Sequence, residues 1–193
     1  MGRPRNDPNR AATPERILAT AELEFGAAPF AAVRLADIAR GAGITRPSLL
    51  YHFDSKEALY EAVVRRAFSA LSAALLEPLP RESSFAERVD ALVDRYARFL
   101  AEHRWFARLL LREIVDDRGP GRQLLIELLE PILAMVERFL SKGARHLPTR
   151  AVVLNLGATT LVREASGELR GVLWGDLGAE ADRALARSMF GLE

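Results

Sequence analysis

The chain has 193 residues, 49% of them apolar, which is enough to bury one large hydrophobic core or two small ones. Its formal net charge of +1 neither supports nor excludes a nucleic-acid partner, and the absence of cysteine excludes disulfides, thiolate metal sites and cysteine nucleophiles. No apolar run reaches the roughly 18 residues that a membrane span needs, and residues 1–10 lack the apolar segment of a signal peptide. We therefore expect a cytoplasmic protein that does not enter the membrane.

Helical periodicity dominates the chain from Pro14 to Phe190. Apolar residues recur at spacings of three and four, and sustained alternation is absent, which predicts an all-α protein of about nine helices. The first helix is expected to begin with Thr13 as its N-cap and to end near Gly26. Its predicted buried stripe is Ile17, Leu18, Ala21 and Phe25. A short second helix follows and is expected to stop in the glycine-containing turn over residues 41–43.

That turn and the segment after it have the features of a helix-turn-helix. Gly43 stands where a positive φ is needed, and Thr45 stands where it can cap the third helix. Leu49 and Phe53, four residues apart, are expected to form the buried side of this helix. Its first turn, which recognition helices direct at base edges, contains Arg46, Pro47 and Ser48.

The outward residues of the third helix have a chemistry that suits duplex DNA. Arg46 can bind guanine bidentately, Ser48 can bond several bases, and Pro47 can lie against a thymine methyl group. Phosphate contacts are expected from Tyr51, His52 and Lys56. The alternative is a tight corner between packed helices whose charged side chains are merely solvated. The spacing of cap, turn, apolar pair and lysine favours DNA binding.

The stretch from Pro14 to Val63 closely resembles the DNA-binding region of the TetR/AcrR family of transcriptional regulators. The matching features, in chain order, are Asp37-Ile38-Ala39, Ala42-Gly43-Ile44-Thr45, Leu49, His52-Phe53 and Ser55-Lys56-Glu57. The resemblance implies a homodimer that binds a double-stranded DNA operator through a three-helix domain within residues 1–56. It also implies a helical ligand-binding and dimerisation domain over residues 57–193, and repression that an unknown small-molecule effector relieves.

Two positions depart from the family pattern. Val33-Arg34 stands where family members usually have a threonine or serine that caps the second helix and touches phosphate. Arg34 is expected either to make a longer-range phosphate contact or to be solvated. Leu50 stands where a tyrosine commonly meets the DNA backbone, and Tyr51 lies about 100° further round the helix. Which residue holds that phosphate is left open.

The N-terminal segment carries Arg3, Arg5 and Arg10 among prolines. Such an arm can enter a minor groove and add a salt-dependent contribution to the affinity for DNA. The alternative is a disordered tail that only aids solubility. A segment that is disordered when free and ordered on DNA fits both descriptions.

The rest of the chain is larger than DNA binding requires, which indicates a sensing or assembly domain. A long fourth helix, capped by Asp54 or Ser55, is expected to run to about Pro78. Five further predicted helices are Phe85–Glu102, Trp105–Val115, Leu124–Leu140, Arg150–Gly171 and Ala179–Phe190. The candidate walls of a ligand pocket are Tyr96, Phe99, Trp105, Phe106, Met135 and Phe139. Ordinary core packing is the alternative for each, and helical spacing favours it.

The segment from Arg150 to Gly171 has two different faces. On one face Asn155, Thr159 and Arg163 fall four apart, and we expect this stripe to meet water or the dimer edge rather than a pocket. The opposite face and the last helix predict a four-helix dimer interface that includes Val153, Gly157, Leu161, Leu185 and Met189. A further four-spaced stripe, more typical of a solvated face than of an anion site, is Arg104, Arg108 and Arg112.

Signals for catalysis are weak. The three histidines, His52, His103 and His146, have no metal-ligand spacing and no nucleophile beside them, and the glycines form no phosphate loop. We expect no enzyme, no metal and no cofactor. The function predicted is a sequence-specific repressor released from a palindromic operator by a small molecule. The alternatives are an architectural DNA binder without sequence preference, or a helical interaction module without a ligand.

Overall fold

The computed structural model describes residues 13–116, 119, 121–141 and 148–192. Within these ranges it contains ten α-helices, one 3₁₀ turn and no strand. The helices are α1 (Thr13–Ala27), α2 (Leu35–Gly41), α3 (Arg46–His52), α4 (Lys56–Leu75), α5 (Phe85–Glu102), α6 (Arg104–Val115), α7 (Arg122–Ser141), α8 (Thr149–Ala165), α9 (Leu169–Trp174) and α10 (Ala179–Met189). The prediction of an all-α protein is confirmed, while the N-terminal arm with Arg3, Arg5 and Arg10, and His146, lie outside the described residues.

The first three helices form a small domain, which we call the head domain. The predicted stripe of α1 supplies its core, because Ile17, Ala21 and Phe25 are buried. Ile38 from α2 and Leu49 from α3 are fully buried against the same cluster. The 3₁₀ turn over Phe30–Ala32 joins α1 to α2 and brings Phe30 to the edge of this core.

The head domain joins the rest of the molecule through two helices, α1 and α4. Ser55 caps α4 by accepting a hydrogen bond from the Ala58 N–H at 3.0 Å, which decides between the two predicted caps. At 20 residues, α4 is about 30 Å long and leads from the head domain into the C-terminal bundle. The end of α1 packs on α6 so closely that a Cβ placed on Gly26 would lie 2.5 Å from the Cβ of Trp105.

The C-terminal domain is a bundle of α5, α6, α7, α8 and α10, with the short α9 beside α8. The prediction of a single helix from Arg150 to Gly171 is wrong. Instead, α8 ends at Ala165, and Gly167 turns the chain with a φ of +58° before α9 begins. Side chains rarely adopt such a φ, so the glycine permits the break. α10 returns to α5, where Arg183 meets Asp94 at 2.8 Å.

None of the helices in the described ranges combines the length and the apolar character that crossing a bilayer requires.

Candidate nucleic-acid interface and ligand cavity

The turn between α2 and α3 is set by Gly43. Its φ is +69°, and an added Cβ would meet nothing within 4 Å, so backbone conformation rather than space selects glycine here. The Gly43 N–H donates to the Arg40 carbonyl at 3.1 Å, and the Ile44 N–H donates to the Ala39 carbonyl at 2.9 Å. These bonds close the end of α2 and direct the chain into α3. The expected positive φ is confirmed.

The start of α3 is fixed by its cap and its buried anchor. Thr45 has extended backbone angles, and its Oγ1 accepts a hydrogen bond from the Ser48 N–H at 3.3 Å, as the sequence predicted. Pro47 occupies the first turn, where its missing N–H costs nothing. Leu49 is fully buried and Phe53 is half-buried, so one face of α3 is held against the head domain.

The opposite face of α3 is open to solvent. Arg46 and Pro47 are exposed, and the Tyr51 side chain is 71% exposed. Ser48 and His52 are half-buried beside them, with the His52 ring 5.3 Å from the Tyr51 ring. A guanidinium, a hydroxyl, an imidazole and a phenol thus share one short helix that projects from the surface, as groove recognition requires.

The two remaining predicted DNA contacts differ in their surroundings. Arg34 is exposed at the N-cap of α2 and makes no side-chain capping bond, so α2 starts without the hydroxyl cap that the family pattern would supply. Lys56 is half-buried, with Nζ 4.4 Å from the centre of the Phe30 ring and 3.5 Å from the Ala31 carbonyl. Residue type and spacing did not predict this cation–π contact, which ties α4 to the 3₁₀ turn.

A cavity of about 250 Å³ lies inside the C-terminal domain. Leu71 and Leu75 reach it from α4, and Leu110 and Ile114 reach it from α6. Helices α5, α7, α8 and α10 complete its wall. The lining is apolar except for Tyr96, Thr160 and Asp182.

Of the six predicted pocket residues, Tyr96 lines this cavity. Burial raises the pKa of its phenol well above the usual value, and its hydroxyl donates to the Gly157 carbonyl at 3.3 Å. Phe99 and Phe106 lie in the main core with ring centres 5.9 Å apart, and Trp105 packs at the end of α1. Met135 packs against the main core and Phe139 packs against a second, smaller core, so neither lies in the cavity wall.

Three of the five residues predicted for a dimer interface line the cavity, namely Val153, Gly157 and Leu161. Leu161 is buried within the subunit, so its side chain cannot form part of a surface that a second copy covers. From α10, Leu185 is 46% exposed and Met189 is half-buried. Further exposed apolar side chains on and around α9 are Leu169, Val172, Leu173 and Leu177.

The stripe of Asn155, Thr159 and Arg163 is expected to meet water or the dimer edge. This expectation is wrong for Arg163, whose side chain is 2% exposed. Its guanidinium bonds both carboxylate oxygens of Asp182 at 2.7 and 2.6 Å, and its Nε bonds Glu164 at 3.2 Å. The bond to Asp182 is the main cause that raises the pKa of Arg163 further. The pair clamps α8 to α10.

Arg112 also departs from its predicted solvated face. Its guanidinium donates to three main-chain carbonyls at the end of α1, those of Phe25, Gly26 and Ala28, at 2.9, 2.9 and 2.6 Å. The last carbonyls of a helix have no partner within it, so this cation caps α1 from α6. Arg95 of α5 does the same for α4, donating to the carbonyls of Leu75, Glu77 and Pro78.

The turn at Gly43 and the capped, solvent-facing α3 together have the geometry of a helix-turn-helix. Residues 17–63 match the family model described as bacterial regulatory proteins, tetR family. The chain is 38% identical over 90 residues to the transcriptional regulator EthR of Mycolicibacterium smegmatis. The matched segment covers 45% of this chain but only 39% of that protein. It is 25% identical over 173 residues to the regulator SrpR of Pseudomonas putida, covering 89% and 78% of the two chains.

Solved structures agree in fold. The fatty acid degradation regulator FadR from Bacillus halodurans has a TM-score of 0.76 at 14% identity, with 97% of each chain covered. FadR from Bacillus subtilis in complex with stearoyl-CoA has a TM-score of 0.70 at 15% identity, covering 92% of this chain and 95% of that one. Residues 17–63 are thus similar to the DNA-binding region of the TetR family, as the sequence resemblance indicated.

Proposed function

We propose that this protein is a homodimeric transcriptional repressor that acts in the cytoplasm, binds a palindromic operator through α3 and leaves it when a small molecule occupies the cavity. The observation that carries the proposal is the capped α3 itself, which turns Arg46, Pro47 and Tyr51 to solvent from a fully buried anchor. In this assignment residues 1–56 bind DNA and residues 57–193 bind the ligand and the second subunit, and neither part is catalytic.

Roles on the DNA follow from position on α3. Arg46 and Ser48 lie in its first turn, where they reach base edges, and Pro47 lies between them against a thymine methyl. Arg34, at the N-cap of α2, and Thr45, Tyr51 and His52, at the two ends of α3, contact phosphates. Lys56 contributes from the start of α4, although its contact with Phe30 limits how far its ammonium extends.

A second copy would cover the apolar surface formed by α9 and the exposed side of α10. Four exposed leucines and a valine occur on and beside α9 and on α10, and exposed apolar side chains in such number are typical of an interface between subunits. A two-fold dimer presents two copies of α3, so its half-sites should be centred about one helical turn apart or somewhat more.

The cavity is connected to the head domain by α6. On one side of α6, Leu110 and Ile114 line the cavity, and on another side Arg112 holds the end of α1. A ligand that displaces α6 therefore displaces α1, and with it the head domain. A ligand needs only to prefer the displaced arrangement by about 1–3 kcal/mol to weaken DNA binding measurably. The stearoyl-CoA complex of the B. subtilis FadR supports a ligand-binding role for this fold.

The test is binding of the purified protein to DNA flanking its own gene, at about 0.15 M salt with excess competitor DNA and footprinting. We expect a two-fold symmetric footprint that survives the competitor. Arg46→Ala should weaken binding to the operator by about 1–3 kcal/mol and relax base choice at its position, because it removes a base contact. The matched control is Arg81→Ala, which removes the same charge from the exposed linker after α4.

Equal losses in Arg46→Ala and Arg81→Ala would mean that only net charge matters, and would contradict the assignment of α3 as a reader of bases. Binding that competitor abolishes on every fragment of the genome would favour an architectural DNA binder. Sedimentation of the free protein should give the mass of two chains at micromolar concentration, and a monomer would contradict the proposed dimer.

A further inference from the structure

The polar groups of the cavity restrict the chemistry of what it can hold. Every residue that lines it, among those the structure describes, is apolar apart from Tyr96, Thr160 and Asp182. In these ranges neither lysine, arginine nor histidine contributes to the wall. An anionic group placed here would lose its hydration without meeting a positive partner, which is strongly unfavourable.

The hydrogens of the two hydroxyl groups already have acceptors within the protein. The Tyr96 hydroxyl donates to the Gly157 carbonyl at 3.3 Å. The Thr160 hydroxyl lies 3.1 Å from both the Leu156 carbonyl and Oδ2 of Asp182. Each oxygen retains lone pairs that can accept a bond from a guest. The hydroxyls therefore offer acceptors to a ligand, and they offer a donor only if an internal bond breaks.

Asp182 adds a third acceptor. A carboxylate has about four lone-pair sites, and the described contacts use three of them, two from Arg163 and one from Thr160. Arg163 does not line the cavity, because its guanidinium is directed to Asp182 and Glu164.

The charge that the cavity wall itself presents is negative, because Asp182 is the one charged residue among the described lining residues. Behind this wall, the buried Arg163 bonds both Asp182 and the buried Glu164. Arg104 and Arg170 approach Glu164 from the outer side, each to 3.7 Å, and neither lines the cavity.

We propose that the effector is a largely apolar molecule, uncharged or cationic, that carries a hydrogen-bond donor such as an amine or a hydroxyl, and that Asp182 with Tyr96 or Thr160 accepts this donor. Carboxylates and acyl anions are disfavoured by the same arrangement, which gives them no positive partner in the wall. The proposal rests on the proposed function only in calling the bound molecule an effector. The selectivity itself is a property of the cavity. By proportion to an apolar cavity of about 150 Å³ that holds benzene, the space fits about ten non-hydrogen atoms.

Three probes of that size separate the possibilities: n-octylamine, 1-octanol and octanoate. They share one apolar chain and differ at one end, and at pH 7 the first is cationic and the last anionic. Calorimetric titration of the full-length protein should give dissociation constants for the amine and the alcohol that are about tenfold or more lower than the one for octanoate, because a desolvated group without a partner is heavily penalised. The thermal midpoint of the protein should accordingly rise more with the amine or the alcohol than with octanoate.

Variants locate the effect. Leu133→Trp fills the cavity from α7 and should abolish binding of all three probes. Tyr96→Phe removes one acceptor and keeps the volume, so it should reduce the advantage of the alcohol over octanoate. Asp182→Asn should reverse the preference between amine and octanoate, and a circular dichroism melt checks that this variant folds. Tyr96→Phe tests the same proposal if it does not.

Octanoate binding as tightly as the amine and the alcohol would overturn the proposal, and so would probe binding that Leu133→Trp leaves unchanged. Failure of all three probes to bind the folded protein would also overturn it. None of these results touches the footprint on the operator, so a regulator with a different ligand chemistry is distinguished from a protein that does not bind DNA.

Discussion

The contacts that stabilise the head domain and those that stabilise the C-terminal domain differ in how far apart the bonded residues lie in the sequence. In the head domain, Thr45 caps α3 through an N–H three residues away, and Ser55 caps α4 in the same way. In the C-terminal domain, Arg163 bonds a carboxylate 19 residues away, and Arg183 and Arg187 bond aspartates of α5 that are 89 and 97 residues away.

Under the proposed function, this difference separates a DNA-binding surface that must keep its shape from a bundle that must respond to a ligand. Local caps fix the shape of α3 whatever the rest of the chain does. Long-range ion pairs fix how helices sit relative to one another, which is the property that a ligand in the cavity would have to change under the proposed function. Substitutions in the two regions should therefore differ both in size and in what they disturb.

The largest loss of stability is expected from Arg163→Ala. The change leaves the buried carboxylates of Asp182 and Glu164 without their cation, and breaking a buried pair from one side costs about 3–5 kcal/mol. Urea denaturation should show this as a lower free energy of unfolding.

Its matched control is Arg150→Ala, which removes an exposed pair with Glu130 in the same domain. Solvent screens that pair, so its loss should be much smaller. Equal effects of the two changes would show that Arg163 is not the buried clamp between α8 and α10 described here.

A smaller effect, of about 1–3 kcal/mol, is expected from Gly26→Ala at the junction of the two regions. The new Cβ would lie 2.5 Å from the Cβ and 2.8 Å from the Cα of Trp105, so α1 and α6 would have to move apart. Gly171→Ala is the control, because a Cβ there meets nothing within 4 Å. Thermal melts should show a loss for the first change and none for the second.

Thr45→Ala should cost about 1 kcal/mol, the usual value of an N-cap. The loss should be local, because the cap serves α3 alone. Hydrogen exchange should therefore quicken in the amides of α3 and leave those of α8 and α10 unchanged. Ser188→Ala, an exposed serine near the end of α10, is the control. Faster exchange throughout the C-terminal domain would contradict the distinction between local and long-range contacts.

The smallest effect, about 0.5 kcal/mol, is expected from Ser84→Ala in the exposed capping box of α5. Hydrogen bonds from Ser84 lower the pKa of Glu87 below its ordinary value of 4.5. A carboxyl group whose pKa is lowered in the folded state stabilises the fold at pH values above its pKa in the unfolded state. That contribution is lost as the pH falls through its pKa in the folded state. The difference between wild type and variant should therefore shrink below about pH 4.5, and a constant difference down to pH 3 would contradict it.

The sequence predicted the head domain well because its determinants are local. A cap at Thr45, a glycine with positive φ at position 43 and a buried anchor at Leu49 can each be recognised from residue type and spacing. What it missed there was Lys56 over Phe30, a contact between residues of different elements.

In the C-terminal domain, spacing showed which residues share a face but not what that face meets. Val153, Gly157 and Leu161 do lie together, yet they line the cavity, and Arg163 shares its face with Asn155 yet is buried. The partner of Arg112 is the end of α1, 84–87 residues earlier in the chain. Periodicity within a helix contains no information about such partners.

The close contact between Gly26 and Trp105 provides the molecule with a built-in optical probe. The chain has two tryptophans, and the other, Trp174, lies at the end of α9. In a Trp174→Phe protein all indole emission arises from the point where α1 meets α6. A rotation of the head domain against the C-terminal domain would change the surroundings of that indole, so the wavelength of its emission would report such a rotation in solution without any attached dye.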